Sequence, residues 1–143
     1  MKIYLASGCF SEEQLELCEK LESFLDNLDY DVYKPRVDSN ITGTNPTKEI
    51  RQKAFQGNIK NIDECDVVVA NMTFVDKGVL FECGYAYAKG KDIIYFKNDD
   101  GKPFNLMLAE SSNYDVAYSL KDLFKRLNDF ENKIYSSYEG IIE

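Results

Sequence analysis

Residues 66–91 read DVVVANMTFVDKGVLFECGYAYAKGK, and the fold class turns on them. The run Val67-Val68-Val69-Ala70 is short, apolar and uninterrupted, the pattern of a strand buried on both faces. A polar loop carrying Asp76 follows. Gly78 then opens a segment with helical spacing that Gly90 closes, with Glu82 within about its first turn. In an open parallel sheet, ligands bind beyond the carboxyl ends of the strands. Asp76 and Glu82 are therefore two carboxylates where such a fold places chemistry.

The rest of the chain repeats this strand–loop–helix rhythm. Residues 2–6 read as a first strand, ended by Ser7-Gly8. Ser11 and Gln14 match a capping box, and Leu15, Cys18, Leu21, Leu25 and Leu28 mark one face of the helix it opens. Residues 31–35 read as a second strand, and 36–46 as the longest irregular stretch, of a length more often functional than idle. A helix is expected from Pro46-Thr47 to about Glu64, with Ile50, Phe55, Ile59 and Ile62 as its stripe. Gly57 inside it costs roughly 1 kcal/mol relative to Ala, for a packing reason or to let a ligand approach.

Residues 92–97 make another strand, stopped by the turn signal at 98–101. Residues 102–107 read as a loop or short helical turn, 116–119 as a last short strand, and Leu120, Leu123, Phe124 and Leu127 as the final helix. Nothing in the sequence assigns residues 135–143. The alternation implies one domain over residues 1–143, a three-layer α/β fold with a mostly parallel sheet of about five strands.

Composition narrows the function. With 25 acidic and 17 basic residues the formal net charge is -8, which argues against nucleic-acid polymers and anionic membrane surfaces. No apolar run approaches the ~20 residues a membrane span needs, and MKIYLAS is too short for a signal peptide. The expected location is the cytoplasm. There are no histidines, and Cys9, Cys18, Cys65 and Cys83 show no zinc-like spacing. Ser-His-Asp and Cys-His machinery and most zinc sites are thereby removed, leaving acid–base work to carboxylates, Tyr, Lys or Cys.

The Gly8 loop lacks both G-x-G-x-x-G and the phosphate-loop signature. Phe10, Glu12 and Glu13 stand beyond the first strand instead, and carboxylates there repel a phosphate. An uncharged planar or sugar-like ligand fits better. Glu82 alone is an acid well placed for a helix dipole, and lone acids of that kind are usually solvated. Gly78, Phe81, Gly84 and Asp76 around it raise the functional reading. The dipole should help keep Glu82 ionised as a nucleophile, while Asp76 near it would tend to hold a proton. One nucleophile and one acid is the division of labour of retaining glycoside chemistry.

These residues resemble a known family. The run ANMTFVDKGVLFECGYAYAKGK is similar to the central motif of the nucleoside 2-deoxyribosyltransferases: an Asp, a Gly, then Glu-x-Gly-Tyr-Ala and Gly-Lys. Supporting patches keep their order along nearly the whole chain: IYLASGCF at 3–10, FQGN at 55–58, PFNLM at 103–107 and YEG at 138–140. The resemblance implies a flavodoxin-like or Rossmann-like domain without metal or cofactor. It implies transfer of 2-deoxyribose between nucleobases through a covalent deoxyribosyl-enzyme, in nucleoside salvage, with deoxynucleosides and free bases as partners.

By the same resemblance Glu82 is the nucleophile, Asp76 the second acid and Tyr4 a tyrosine near the nucleophile. Gly8, Phe10, Asn58, Gly78, Asn105 and Met107 complete the substrate-binding set. Asn105 and Met107 match a segment that reaches into a neighbouring subunit, which implies a homo-oligomer built from dimers, as a dimer, tetramer or hexamer. Some members carry Asp where this chain has Asn58, and Asn can both donate to and accept from a base edge. A related group hydrolyses deoxynucleoside monophosphates and carries an Arg for the phosphate in the first loop. This loop has Glu12 and Glu13 and no Arg, although Arg36 and Arg51 lie in segments able to approach. That hydrolase is the alternative; a non-catalytic nucleoside-binding module is the third reading.

Overall fold

The computed structural model describes residues 1–39, 41, 45–99 and 101–143. The expected irregular stretch 36–46 and the turn 98–101 lie partly outside the described residues. The elements in chain order are β1 (Lys2–Ala6), α1 (Glu12–Asn27), β2 (Asp31–Tyr33), α2 (Pro35–Asp38), α3 (Lys48–Glu64), β3 (Val67–Asn71), α4 (Lys77–Ala88), β4 (Asp92–Phe96), α5 (Leu106–Glu110) and α6 (Leu120–Glu131). The four strands form one parallel sheet in the order β2-β1-β3-β4.

Alternation along each strand sorts the core into two layers. Tyr4, Ala6, Val68, Ala70, Ile93 and Tyr95 face one way and pack with Ile62 of α3 and Val79, Cys83 and Ala86 of α4. Ile3, Leu5, Val67, Val69, Ile94 and Phe96 face the other way and pack with Leu21 and Leu25 of α1 and Leu123 and Leu127 of α6. All five residues of β3 are buried, as its continuous apolar run requires when helices cover both faces of a parallel sheet.

Several expectations are corrected. The sheet has four strands rather than about five, because residues 116–119 supply only a single parallel bridge from Ala117 to Phe96. Strand β2 ends at Tyr33, since Pro35 starts the short helix α2. Helix α3 starts at Lys48 rather than at Pro46-Thr47, and Thr47 is its N-cap, accepting from Ile50 N. The expected α3 stripe is only half used: Ile62 is buried and Ile59 half-buried, whereas Ile50 and Phe55 stand exposed. Ser11 caps α1 by accepting from Gln14 N, but the Gln14 side chain bonds Phe10 N rather than closing the box on Ser11.

Gly90 does close α4, at φ 73, a left-handed conformation that glycine adopts without a Cβ penalty. The C-terminal tail, which the sequence left unassigned, docks on Phe104. Phe104 N donates to Ile141 O, Glu143 N donates to Phe104 O, and the Tyr138 ring lies edge-on at 5.7 Å.

Candidate active site

The strand order changes direction between β1 and β3, so the loops leaving these strands diverge and open a crevice at their carboxyl ends. Asn71, buried at the end of β3, holds the crevice together: its Nδ2 donates to Ser7 Oγ at 3.1 Å, and its Oδ1 accepts from Thr73 N at 3.1 Å. The two loops also touch directly. A Cβ built on Gly8 would lie 2.9 Å from both Cγ and Oδ2 of Asp76, so only glycine at position 8 lets the Asp76 carboxylate sit where it does.

Asp76 is the N-cap of α4, its Oδ1 accepting from Val79 N at 2.9 Å. It thereby satisfies one of the donors left open at the helix start. A Cβ on Gly78 would come within 3.1 Å of that same Oδ1. The helix begins at Lys77, earlier than the Gly78 expected, and Glu82 therefore lies in its second turn. Asp76, not Glu82, occupies the positive end of the helix.

Glu82 faces the sheet instead. Its Oε1 accepts from the Tyr4 hydroxyl at 3.0 Å, across from the middle of β1. Burial pushes the Glu82 carboxyl up to about 7, the Tyr4 hydrogen bond pulls it back in part, and the Asp76 charge raises it further. The expectation that a helix dipole holds Glu82 ionised is corrected: desolvation outweighs it, because the residue lies past the first turn where the dipole acts. Tyr4 is held well above the usual phenol range, first by burial and then by the Glu82 charge. It therefore stays a donor.

The site extends sideways along the sheet. Strand register sets Tyr4 opposite Tyr33, and their rings stack at 5.5 Å and 24°. The Tyr33 hydroxyl donates to Asn58 Oδ1 at 3.0 Å. One connected line thus runs Glu82–Tyr4–Tyr33–Asn58 from α4 across two strands to α3. Tyr33 and Asn71 are the residues sequence reasoning missed. Only strand register could have pointed to Tyr33, since its role depends on which tyrosine lies beside it.

The remaining sequence candidates lie elsewhere. Phe10 is 87 % exposed, two residues past Gly8. Asn105 caps α5, its Oδ1 accepting from Met107 N at 2.9 Å and Leu108 N at 3.3 Å. Asn105 and Met107 line a cavity of about 550 Å³ with Met72, Leu80, Lys97 and Phe104, and that cavity includes neither Glu82 nor Tyr4.

Other groups able to do acid–base work are less suited. Burial pushes the Cys83 thiol up to about 12 and the Cys65 thiol up to about 11. Lys97 is engaged by both carboxylate oxygens of Asp99. Arg36 is gripped by Glu22, with Nε to Oε1 at 3.1 Å and Nη2 to Oε2 at 2.7 Å. Among the described residues no group of three or more His, Cys, Asp or Glu is placed to hold a metal ion, and no helix is long and apolar enough to cross a membrane.

Known structures share this fold. A 2-deoxyribosyltransferase from Bacillus psychrosaccharolyticus is 28 % identical, with a TM-score of 0.84 over 96 % of this chain and 99 % of that one. A conserved protein of Enterococcus faecalis V583 is 23 % identical, with a TM-score of 0.72 over 93 % and 98 % of the two chains. A CMP N-glycosidase from Clostridium botulinum, also 23 % identical, has a TM-score of 0.59 over 90 % and 98 %, and at that identity the likeness concerns the fold. No curated protein matches the sequence. The family model for nucleoside 2-deoxyribosyltransferase matches residues 3–117, which takes in β1 to β4 and with them Tyr4, Asn58, Asp76 and Glu82. The chain belongs to the nucleoside 2-deoxyribosyltransferase family.

Proposed function

We propose that this protein transfers 2-deoxyribose from a deoxynucleoside to a free nucleobase through a covalent deoxyribosyl–Glu82 intermediate, as a nucleoside salvage step. The observation that carries the reading is the Glu82 carboxylate, partly buried at the crevice and held by the Tyr4 hydroxyl at 3.0 Å. A Glu82 oxygen attacks the anomeric carbon, the carbon–nitrogen bond breaks, and its electron pair leaves with the base. Asp76 Oδ2 takes a proton from solvent and passes it to the leaving base, since Oδ1 is committed to the helix cap. The incoming base then attacks the same carbon, returns a proton to Asp76 and frees Glu82. Atoms and protons balance without a metal or cofactor. Two such displacements give ping-pong kinetics.

The substrates in this reading are uncharged deoxynucleosides and bases, in keeping with Glu12 and Glu13 in the first turn of α1, which follows β1. We also propose a homo-oligomer, with Asn105 and Met107 completing a neighbour's site. Phe81, Leu80 and Tyr87 on the outer face of α4, Phe55 of α3 packed 5.9 Å from Phe81, and Met107 are all exposed. An apolar patch of this kind marks an interaction surface. The expected setting is the cytoplasm.

The test incubates deoxyinosine with free adenine or cytosine and looks for the exchanged nucleoside. Absence of exchange by the native protein, or full activity in Glu82→Ala, sinks the proposal. Repeating the assay with 5'-phosphorylated donors separates it from a monophosphate glycosidase, which releases base without an acceptor. That alternative is weakened by Arg36, whose guanidinium is already taken by Glu22.

A further inference from the structure

Asn71 is the one polar residue of β3, after Val67, Val68, Val69 and Ala70, and only 2 % of it is exposed. Burying an amide is costly unless its groups are paired, and here the pairing runs to two different loops. Thr73 N donates to Oδ1 at 3.1 Å, the local turn that Asn side chains favour. A backbone N–H can only donate, so the oxygen is assigned and Nδ2 faces Ser7 Oγ, at 3.1 Å. Thr73 Oγ1 in turn accepts from Asn98 N at 2.9 Å. The segments leaving β1, β3 and β4 are thereby laced together.

The two loops that Asn71 joins meet again at Asp76. The cap fixes Oδ1 through Val79 N and leaves the carboxylate free to pivot about that oxygen. Gly8 takes up this freedom: a Cβ there would lie 2.9 Å from Oδ2, so Oδ2 rests against the glycine backbone. The place of Oδ2 therefore depends on where Ser7 and Gly8 sit. We propose that Asn71 is a positioning residue for the acid step: by holding the Ser7–Gly8 loop to β3, it fixes Asp76 Oδ2, the oxygen that passes a proton to the leaving base. This role rests on the base-exchange reading of the crevice. Asn71 acts through Asp76 alone, and misplacing a catalytic group by about 1 Å costs on the order of 10²-fold in rate.

The test compares kcat/KM for two donors with adenine as acceptor. Deoxyinosine needs a proton to release its base. A 7-methylated deoxyguanosine already carries the positive charge, so its base leaves neutral with the bonding electron pair and no proton. Asn71→Leu keeps the side-chain shape and removes both bonds. It should lower kcat/KM about tenfold or more for deoxyinosine and less than about threefold for the methylated donor. A merely structural loss lowers both donors alike. Ser7→Ala cuts one bond and should show the same split in milder form, even if Asn71→Leu folds poorly. The double variant should cost little more than Asn71→Leu, since both act through one contact. Amide hydrogen exchange gives a readout without turnover. In Ser7→Ala the Val79 amide, held by Asp76 Oδ1, should exchange faster while the Leu127 amide of α6 keeps its rate. Equal falls for both donors, or unchanged Val79 exchange in a folded Ser7→Ala, would overturn the proposal. A native protein that exchanges no bases, with Val79 still released in Ser7→Ala, refutes the transfer reading and not the positioning of Asp76.

Discussion

The Tyr4 hydroxyl donates to Glu82 Oε1 at 3.0 Å, joining the middle of β1 to the second turn of α4. The bond works against burial: desolvation raises the Glu82 carboxyl, and the phenol donor lowers it by stabilising the ionised form. A nucleophilic carboxylate must be ionised, so activity of the free enzyme should rise with pH through about 7. Tyr4→Phe removes the lowering contribution and should move that acid limb to higher pH, which a kcat/KM profile from pH 5 to 9 reads. An unmoved limb would mean that Tyr4 does not tune Glu82.

Glu82 should cost stability when ionised. Its folded-state value lies above the ordinary 4.5 of an exposed glutamate, so the folded protein binds this proton more tightly than the unfolded chain. The favourable contribution is complete below about pH 4.5 and is lost as pH rises through about 7. Glu82→Gln should therefore be more stable than the native protein above pH 7, by about 2–3 kcal/mol, with the difference vanishing near pH 4. Urea denaturation at pH 4, 6 and 8 measures it. A constant difference at all three would show that the gain is packing rather than ionisation.

Asp76 carries a cap and, in the proposed mechanism, an acid, and two variants separate them. Asn is as good an N-cap as Asp, so Asp76→Asn should change stability by less than about 0.5 kcal/mol. It cannot protonate a leaving base, and exchange should fall by roughly 10²-fold or more. Asp76→Ala loses both roles and should also destabilise by about 1 kcal/mol. Equal activity in Asp76→Asn and the native protein would remove Asp76 from acid catalysis.

Gly8 and Gly57 should respond in opposite directions to the same substitution. Gly8→Ala puts a methyl 2.9 Å from the Asp76 carboxyl carbon, so the carboxylate must leave its position, with loss of the cap and of most exchange activity. At Gly57 a Cβ would meet, among the described residues, only Tyr33 Oη, at an ordinary 3.7 Å. Gly57→Ala should stabilise α3 by about 1 kcal/mol. Thermal denaturation with the exchange assay checks both. A large activity loss in a more stable Gly57→Ala would point to a substrate passing close to that backbone.

The exposed apolar face of α4 predicts assembly. Phe81→Asp combined with Leu80→Asp should lower the mass measured by light scattering to that of a single chain. Exchange activity should fall with it if a neighbour supplies Asn105. An oligomer that survives both substitutions would place the contact elsewhere.

Much of the fold was legible because its signals are local. The buried run at β3, the capping residue Ser11, and Gly90 at the end of α4 each act over a few residues of chain. Asp76 and Glu82 could be singled out for the same reason: both follow directly from a strand whose end faces a crevice. The fifth strand was overread because residues 116–119 have strand composition, and only the sheet edge decides whether more than one residue pairs. The α3 stripe was overread because helical periodicity marks an apolar face without saying what covers it.

By itself the sequence determined the alternating α/β order, the lack of histidine chemistry and the stretch in which the carboxylates lie. The tertiary structure alone decided that Glu82 meets Tyr4, that Gly8 makes room for Asp76, and that Tyr33 reaches Asn58. Each of these contacts joins residues brought together by strand order and register, 78, 68 and 25 positions apart in the chain. Register also explains the raised Glu82 carboxyl. Its value follows from what surrounds the side chain after packing, and no neighbour in sequence carries that information.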